Sequence, residues 1–246
     1  MELPTYVALS RMTAQGRALD VVADNIANAN TPGFKSTHML FSDWLDRQRR
    51  VSPPPGGRVV AFTQDRATYR DWAPGPIMHT GNPFDLALGS DGFFTVNTPR
   101  GPRLTRAGRF GPMPDGTLAD TEGNPVLDTA GQPIRLAVTD TRVTITADGT
   151  VSTPNGPIGK IGVVKPAEPN KLQAEGGRLF VANTPTQPVA TPAIIQGGLE
   201  DSNVQPIVEI THMMTLLREF QFTSQFIQGE SDRQQKAIDV LLKQNG

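Results

Sequence analysis

Proline and glycine are spread unevenly along this chain, and that unevenness constrains its fold more than any other feature. The 246 residues include 22 prolines and 24 glycines. Yet from Thr5 to Ala29 there is no proline and a single glycine, Gly16, and no proline follows Pro206. Proline removes a helical hydrogen bond and clashes with the preceding turn, so long helices are expected at the two ends. In the first, Leu9, Met12, Gly16, Leu19, Ala23 and Ile26 step by threes and fours, with Arg11, Arg17, Asp20 and Asp24 off the stripe. That is a heptad-like seam. It stops at Asn28-Ala29-Asn30-Thr31-Pro32-Gly33. Pro32 disfavours the α conformation at Thr31, and Asn and Gly tolerate the left-handed geometry that closes a helix end. In the second, Ile210, Met213, Leu217, Phe220, Ser224, Ile227, Ser231, Gln234, Ile238 and Leu241 repeat the spacing. The stripe thins to polar residues around Gly229-Glu230-Ser231, where the helix is expected to soften.

Between the ends the sequence changes character. Pro53-Pro54-Pro55-Gly56-Gly57 reads as a loop, and residues from Val59 to about Ile195 read as short strands broken by turns. Phe93-Phe94-Thr95-Val96, Val143-Thr144-Ile145-Thr146 and Ile161-Gly162-Val163-Val164 are strand candidates, while Asp115-Gly116, Asp148-Gly149 and Asn155-Gly156 are hairpin turn signals. Gly123-Asn124-Pro125-Val126 and Gly131-Gln132-Pro133-Ile134 echo one another, too few copies for a solenoid. The expected fold is α+β. The N- and C-terminal helices pair in a coiled-coil-like segment beside a central β-rich domain of short antiparallel strands. The expected division is an N-terminal axial helix in 1–34, an extended connector in 35–80, the β-rich domain in 81–197 and a C-terminal axial helix in 198–246.

Composition narrows the function classes. A formal net charge of −1 excludes the broad basic surface that nucleic-acid binding needs. With no cysteine, disulfides and thiolate metal sites are unavailable. Mean hydropathy is −0.30 and no apolar run approaches 18 residues, so no transmembrane helix is expected. Met1-Glu2-Leu3-Pro4 lacks the basic start and apolar stretch of a cleaved secretory signal, so export would need another route. His38, His79 and His212 are scattered. Of Asp85, Asp91, Asp115 and Asp148, the last three directly precede glycine, as turn residues do. Gly156-Pro157-Ile158-Gly159-Lys160 has the wrong spacing for a phosphate loop. Neither a catalytic residue, a cofactor nor a metal is expected. Arg47, Arg49 and Arg50 read as a solvated face.

The two stripes pose the functional question. Fixing each backbone residue costs ~1–2 kcal/mol, and an isolated helix of this length is marginal in water. Each stripe residue recovers roughly 1.5–3 kcal/mol only when buried. One reading packs the helices on the chain's own domain. The other pairs them with each other and leaves further faces for other copies, with Gly16, Ser224 and Gln234 permitting close approach. Periodicity leaves both open.

A resemblance separates them. Asn25-Ile26-Ala27-Asn28-Ala29-Asn30-Thr31-Pro32-Gly33-Phe34-Lys35 matches the N-terminal signature of flagellar rod and hook proteins at eight positions within eleven. Gly81-Asn82-Pro83-Phe84-Asp85-Leu86-Ala87-Leu88 and Gly89-Ser90-Asp91-Gly92-Phe93-Phe94-Thr95-Val96 resemble the opening of that family's β domain. Leu104-Thr105-Arg106-Ala107-Gly108-Arg109-Phe110 follows, with Leu104 where an aromatic is usual. Gly198-Leu199-Glu200-Asp201-Ser202-Asn203-Val204 is similar to the entry to the family's last helix, which continues through Val208–Met214 and Arg218-Glu219-Phe220-Gln221. Ile210 stands where Met is common, and Gln221 where Glu is usual. The size and the Gly81–Phe110 block fit the mid-sized rod subunits, and Glu230–Ile238 and the short β region resemble the proximal kind more than the distal.

The resemblance implies a structural subunit, not an enzyme. It implies export through the flagellar type III apparatus, other rod subunits as partners, and a place in the basal body across the periplasm. Polymerised terminal helices would form an inner tube that carries torque and encloses an export channel, with the β domain outward. Leu9, Met12, Leu19 and Ile26 are then expected to share an interface with Ile210, Met213, Leu217, Phe220 and Ile227, partly between subunits. Asn25 and Asn28 are read first as helix-end and turn residues. The rival of a different class is a secreted β-domain binding module with a helical stalk.

Overall fold

The computed structural model describes residues 3–46, 60–137, 142–176 and 178–244. The Arg47, Arg49 and Arg50 cluster and the Pro53–Gly57 loop lie outside the described residues. The chain divides into two compact units. One comprises Met1–Ala27, Thr37–Arg70 and Gln205–Gly246, the other Asn28–Ser36 and Asp71–Val204.

The first unit holds α1 (Leu3–Ala27), β1 (Thr37–Asp46), β2 (Val60–Arg70) and α2 (Pro206–Gln244). Both helices carry proline in their first turn, Pro4 and Pro206, where its missing N–H has no helical partner to lose. The Gln205 carbonyl accepts the Glu209 N–H at 3.1 Å and opens α2. The helices run antiparallel, since Asn25 meets Glu209 while Gln15 meets Glu219. α2 has 39 residues against 25 in α1. Its C-terminal end therefore outruns the start of α1 by about 20 Å. Ala18, Val22 and Leu216 form the buried centre of the pair, with Leu19, Ile26, Met213 and Met39 packed against it.

β1 and β2 pair antiparallel from Thr37↔Arg70 to Asp46↔Val60, with a bulge between Leu40 and Phe41. This hairpin occupies much of the stretch assigned from the sequence to an extended connector. A lone two-stranded hairpin is marginal in water, and Met39 anchors this one in the helical cluster.

The second unit is built of short antiparallel strands. Its main sheet has six, in the order Gln173–Glu175, Leu179–Val181, Gly101–Thr105, Phe93–Thr98, Val163–Pro166 and Thr186–Pro188. The three expected turns all close hairpins. Asp115-Gly116 joins Phe110–Pro112 to Leu118–Asp120, Asp148-Gly149 joins Thr144–Ile145 to Thr150–Thr153, and Asn155-Gly156 leads into Gly156–Lys160. The echoed segments are one turn built twice. Asp120 Oδ1 accepts the Glu122 and Asn124 N–H groups, and Asp128 Oδ1 accepts those of Ala130 and Gln132. This eight-residue spacing brings Leu118, Val126 and Ile134 into a closed ring: Leu118 N–H donates to Ile134 O, Ile134 N–H to Val126 O, and Val126 N–H to Leu118 O. Their side chains join Leu86, Phe94 and Ile161 in the buried core.

Candidate assembly surface and signature residues

The buried residues of α1 are mostly small or polar. Ala8, Ala14, Ala18 and Val22 are buried together with Gln15 and Asn25, and Ala18 and Val22 meet Leu216 of α2. Small side chains let the helix backbones approach, and the polar ones set the register. Gln15 Nε2 donates to Glu219 Oε2 at 3.2 Å, and Thr223 Oγ1 donates to Gln15 Oε1 at 3.3 Å. Asn25 is 1% exposed. Its Nδ2 donates to Thr37 O at 2.9 Å and to Glu209 Oε1 at 3.4 Å, and its Oδ1 accepts the Thr37 N–H at 2.9 Å. One amide thus ties the end of α1 to the start of β1 and the first turn of α2. Arg11 reaches Glu219 at 3.7 Å across solvent, an ion pair of little energetic consequence.

The expected interface residues fall in two groups. Met12, Leu19, Ile26, Met213, Phe220 and Ile227 are half-buried, and Leu19, Ile26 and Met213 meet in the helical cluster. Leu9, Ile210 and Leu217 are exposed. On α2 the inward row contains Glu209, Met213, Leu216, Phe220 and Ile227. Ile207, Ile210, Met214 and Leu217, spaced three, four and three apart, form a second row on the outer side. Ile207 is 81% exposed and Leu217 43%, and Val208, Phe222 and Phe226 are exposed beside them. From Ile207 to Phe226, α2 therefore exposes large apolar side chains outside the seam that α1 covers, interleaved with polar ones such as Thr211, Arg218 and Gln225.

The remaining signature residues organise the β unit. Asn28 O accepts the Thr31 N–H, Thr31 Oγ1 donates to Asn28 Oδ1, and Thr31 O accepts the Phe34 N–H, which makes two consecutive tight turns. Gly33 has φ +74°, and a Cβ there would lie 2.4 Å from the Ala107 nitrogen. Phe34 packs with Ala29 and Val204. Lys35 is 0% exposed and Glu200 1%. Lys35 Nζ lies 2.5 Å from Glu200 Oε1 and donates to Ala73 O at 2.7 Å. The Gly75 N–H also donates to Glu200 Oε1, and buried Arg106 reaches Glu200 Oε2 at 3.4 Å. Burial pushes the Lys35 ammonium below the ordinary lysine range against the opposing pull of Glu200, and burial likewise lowers Arg106. Asn203 binds Ser36, Asp71 and Ala73, and Ser202 Oγ accepts the Val204 N–H. Farther off, Gly81 and Gly92 adopt positive φ, Asn82 Nδ2 donates to Asp85 Oδ1 at 3.2 Å, and Phe93 and Phe94 face different cores.

Among the described residues no group of three His, Asp or Glu is placed to hold a metal ion, and no helix is long and apolar enough to cross a membrane. His38 stacks on Tyr69 with ring centroids 5.4 Å apart.

Comparison with known proteins decides the family. Residues 6–35 match the profile described as flagella basal body rod protein, 87–153 the flagellar hook protein FlgE/F/G D1 domain, and 195–240 the flagellar basal body rod FlgEFG protein C-terminal. Over the full length of both chains, the sequence is 37% identical to the flagellar basal-body rod protein FlgF of Caulobacter vibrioides. The chain belongs to the flagellar basal-body rod proteins. It is of the FlgF type: the Mesorhizobium japonicum FlgF protein is 36% identical over 98% of each chain. FlgG of Bacillus subtilis is 31% identical over 96% of this chain and 97% of its own. The first match spans most of α1 and its closing turns, the second the β unit from Ala87 through the hairpin at Thr150–Thr153, and the third the stretch entering α2 with most of that helix.

Sequence reasoning missed Gln15 and Glu209 as seam residues, because polar side chains on an apolar stripe look like gaps, and missed Arg106 as a buried cation, because its partner Glu200 is remote in sequence. Lys35 and Glu200 carried a signal, their places in the signature blocks, but their 165-residue separation hid the pairing.

Proposed function

We propose that this chain is an axial subunit of the flagellar basal-body rod, polymerising through its paired terminal helices into a torque-carrying shaft around an export channel. The observation that carries this reading is the outer face of α2. Ile207, Ile210, Met214, Leu217, Phe222 and Phe226 stay exposed after α1 has docked. Burying such side chains is worth roughly 1.5–3 kcal/mol each, enough to drive association of many copies. Leu9, Met12, Leu19 and Ile26 with Ile210, Met213, Leu217, Phe220 and Ile227 form the assembly surface, part within the chain and part between copies. The axial segments lie within residues 1–34 and 198–246, with α1 and α2 as their helices, and the β-rich domain holds 81–197.

The role is mechanical and involves no catalysis or cofactor. The subunit leaves the cytoplasm through the flagellar type III apparatus without cleavage, stands in the periplasmic part of the basal body, and has neighbouring proximal and distal rod proteins as partners. A cell lacking the gene should regain swimming with the intact chain. It should stay non-motile with Leu217→Glu, whose product remains folded and is missing from isolated basal bodies. Normal incorporation of that variant contradicts the reading. A second placement within the same family is the distal rod, which locating the subunit along isolated basal bodies would distinguish.

A further inference from the structure

We propose that Lys35, Arg106, Glu200 and Asn203 form a latch inside the β unit that makes docking of the segment after α1 and of the segment before α2 a single event. Three stretches remote in sequence meet there: 33–36, 71–75 and 200–204. Each is bonded to both others. The Gly33 N–H donates to Glu200 O at 2.8 Å, and the Asp71 N–H donates to Ser36 O at 2.9 Å. Asn203 Oδ1 accepts the Ser36 N–H at 2.8 Å, while its Nδ2 donates to Asp71 O at 3.0 Å and Ala73 O at 3.1 Å. The Ala73 carbonyl also takes the Lys35 ammonium. Glu200 Oε1 receives both the Lys35 ammonium and the Gly75 N–H. Removing any one stretch therefore strands buried donors or acceptors on the other two, and each costs its full desolvation.

Charge gives the latch an order of closure. Lys35 and Arg106 are two buried cations that share one buried carboxylate, and the Arg106 charge disfavours that of Lys35. Before Glu200 arrives they would face each other without it, an arrangement a low-dielectric interior does not tolerate. Glu200 comes last along the chain. The stretch following α1 is thus held in place only once the stretch preceding α2 has docked, and release of one frees the other.

Amide hydrogen exchange on the purified full chain tests this independently of whether the protein enters rods. Glu200→Gln should lower protection by at least about tenfold, the factor for losing one charge-assisted hydrogen bond, in 33–36 and 71–75 together. The Leu118–Ile134 ring should keep its protection. Loss confined to the neighbourhood of residue 200, or no loss, overturns the latch. Asn203→Ala, which keeps all three charges, covers the case in which Glu200→Gln fails to fold. It should release the same two stretches together, and release of only one contradicts the proposal. In Lys35→Met/Arg106→Met/Glu200→Met, overall melting should stay nearer that of the parent than in Glu200→Gln, because an apolar cluster can replace buried ions once none is left unpaired. The two stretches should then exchange at different rates, a readout that bulk stability alone would not move. If they still open together, the charges are not the latch.

Discussion

Gly33 shows how a single residue can be read correctly for half its reason. The sequence marks it as a helix-closing glycine, and its φ of +74° agrees. The stronger constraint is spatial. An added Cβ would lie 2.4 Å from the Ala107 nitrogen and 2.5 Å from the Arg106 carbonyl carbon, backbone atoms that cannot swing aside. Gly33→Ala should lower the stability of the β unit by about 2–4 kcal/mol, read as a drop in its thermal midpoint; an unchanged midpoint contradicts the close approach. Gly229 in α2 has nothing within 4 Å of its Cβ position, so Gly229→Ala should stabilise the helix by about 0.5–1 kcal/mol. Asp148 offers a test by titration. Thr146 and Thr150 hydroxyls and the Thr150 N–H donate to its carboxylate and hold its pKa at about 2, below the ordinary 3.8. The sign follows: the turn's contribution is fully present above 3.8 and is lost as pH falls through about 2. Carboxyl-detected NMR should place the Asp148 midpoint near 2, and a midpoint at the ordinary value contradicts these bonds.

At the scale of an element, α2 separates two kinds of apolar residue that look alike in sequence. Leu216 is 8% exposed against α1, and its neighbour Leu217 is 43% exposed on the outer side. Leu216→Ala should cost the helical pair about 2–3 kcal/mol in denaturant unfolding. Leu217→Ala should stay within about 0.5 kcal/mol and instead impair incorporation into rods. Equal losses from both would contradict the assignment of faces. The helices themselves were legible, because proline-free ends and steps of three and four leave few alternatives. The phase of α2 was not. A helix with apolar residues on more than one face offers several seams, and the one α1 covers is picked by Ala18 and Val22 and by the Gln15–Glu219 and Asn25–Glu209 bonds. The β1–β2 hairpin was hidden for a different reason. Its strands run ten and eleven residues, and the helix contact that Met39 makes is one that no local pattern reports.

At the scale of the whole molecule, helix, β-rich middle and helix could be read from punctuation alone, and the signature blocks pointed to the rod family that the comparisons show. The division into units could not, because Asn28–Ser36 belongs with Asp71–Val204 through contacts such as Lys35–Glu200 rather than through chain continuity. The central claim is that the outer apolar row of α2 is covered by other copies in the rod. The chain contains no cysteine, so Leu217→Cys places a single thiol on that row. Its labelling by a maleimide should be compared in the purified protein and in isolated basal bodies. Ready labelling of the free protein and strong protection after assembly are expected; equal labelling in both would contradict coverage of the row by other copies.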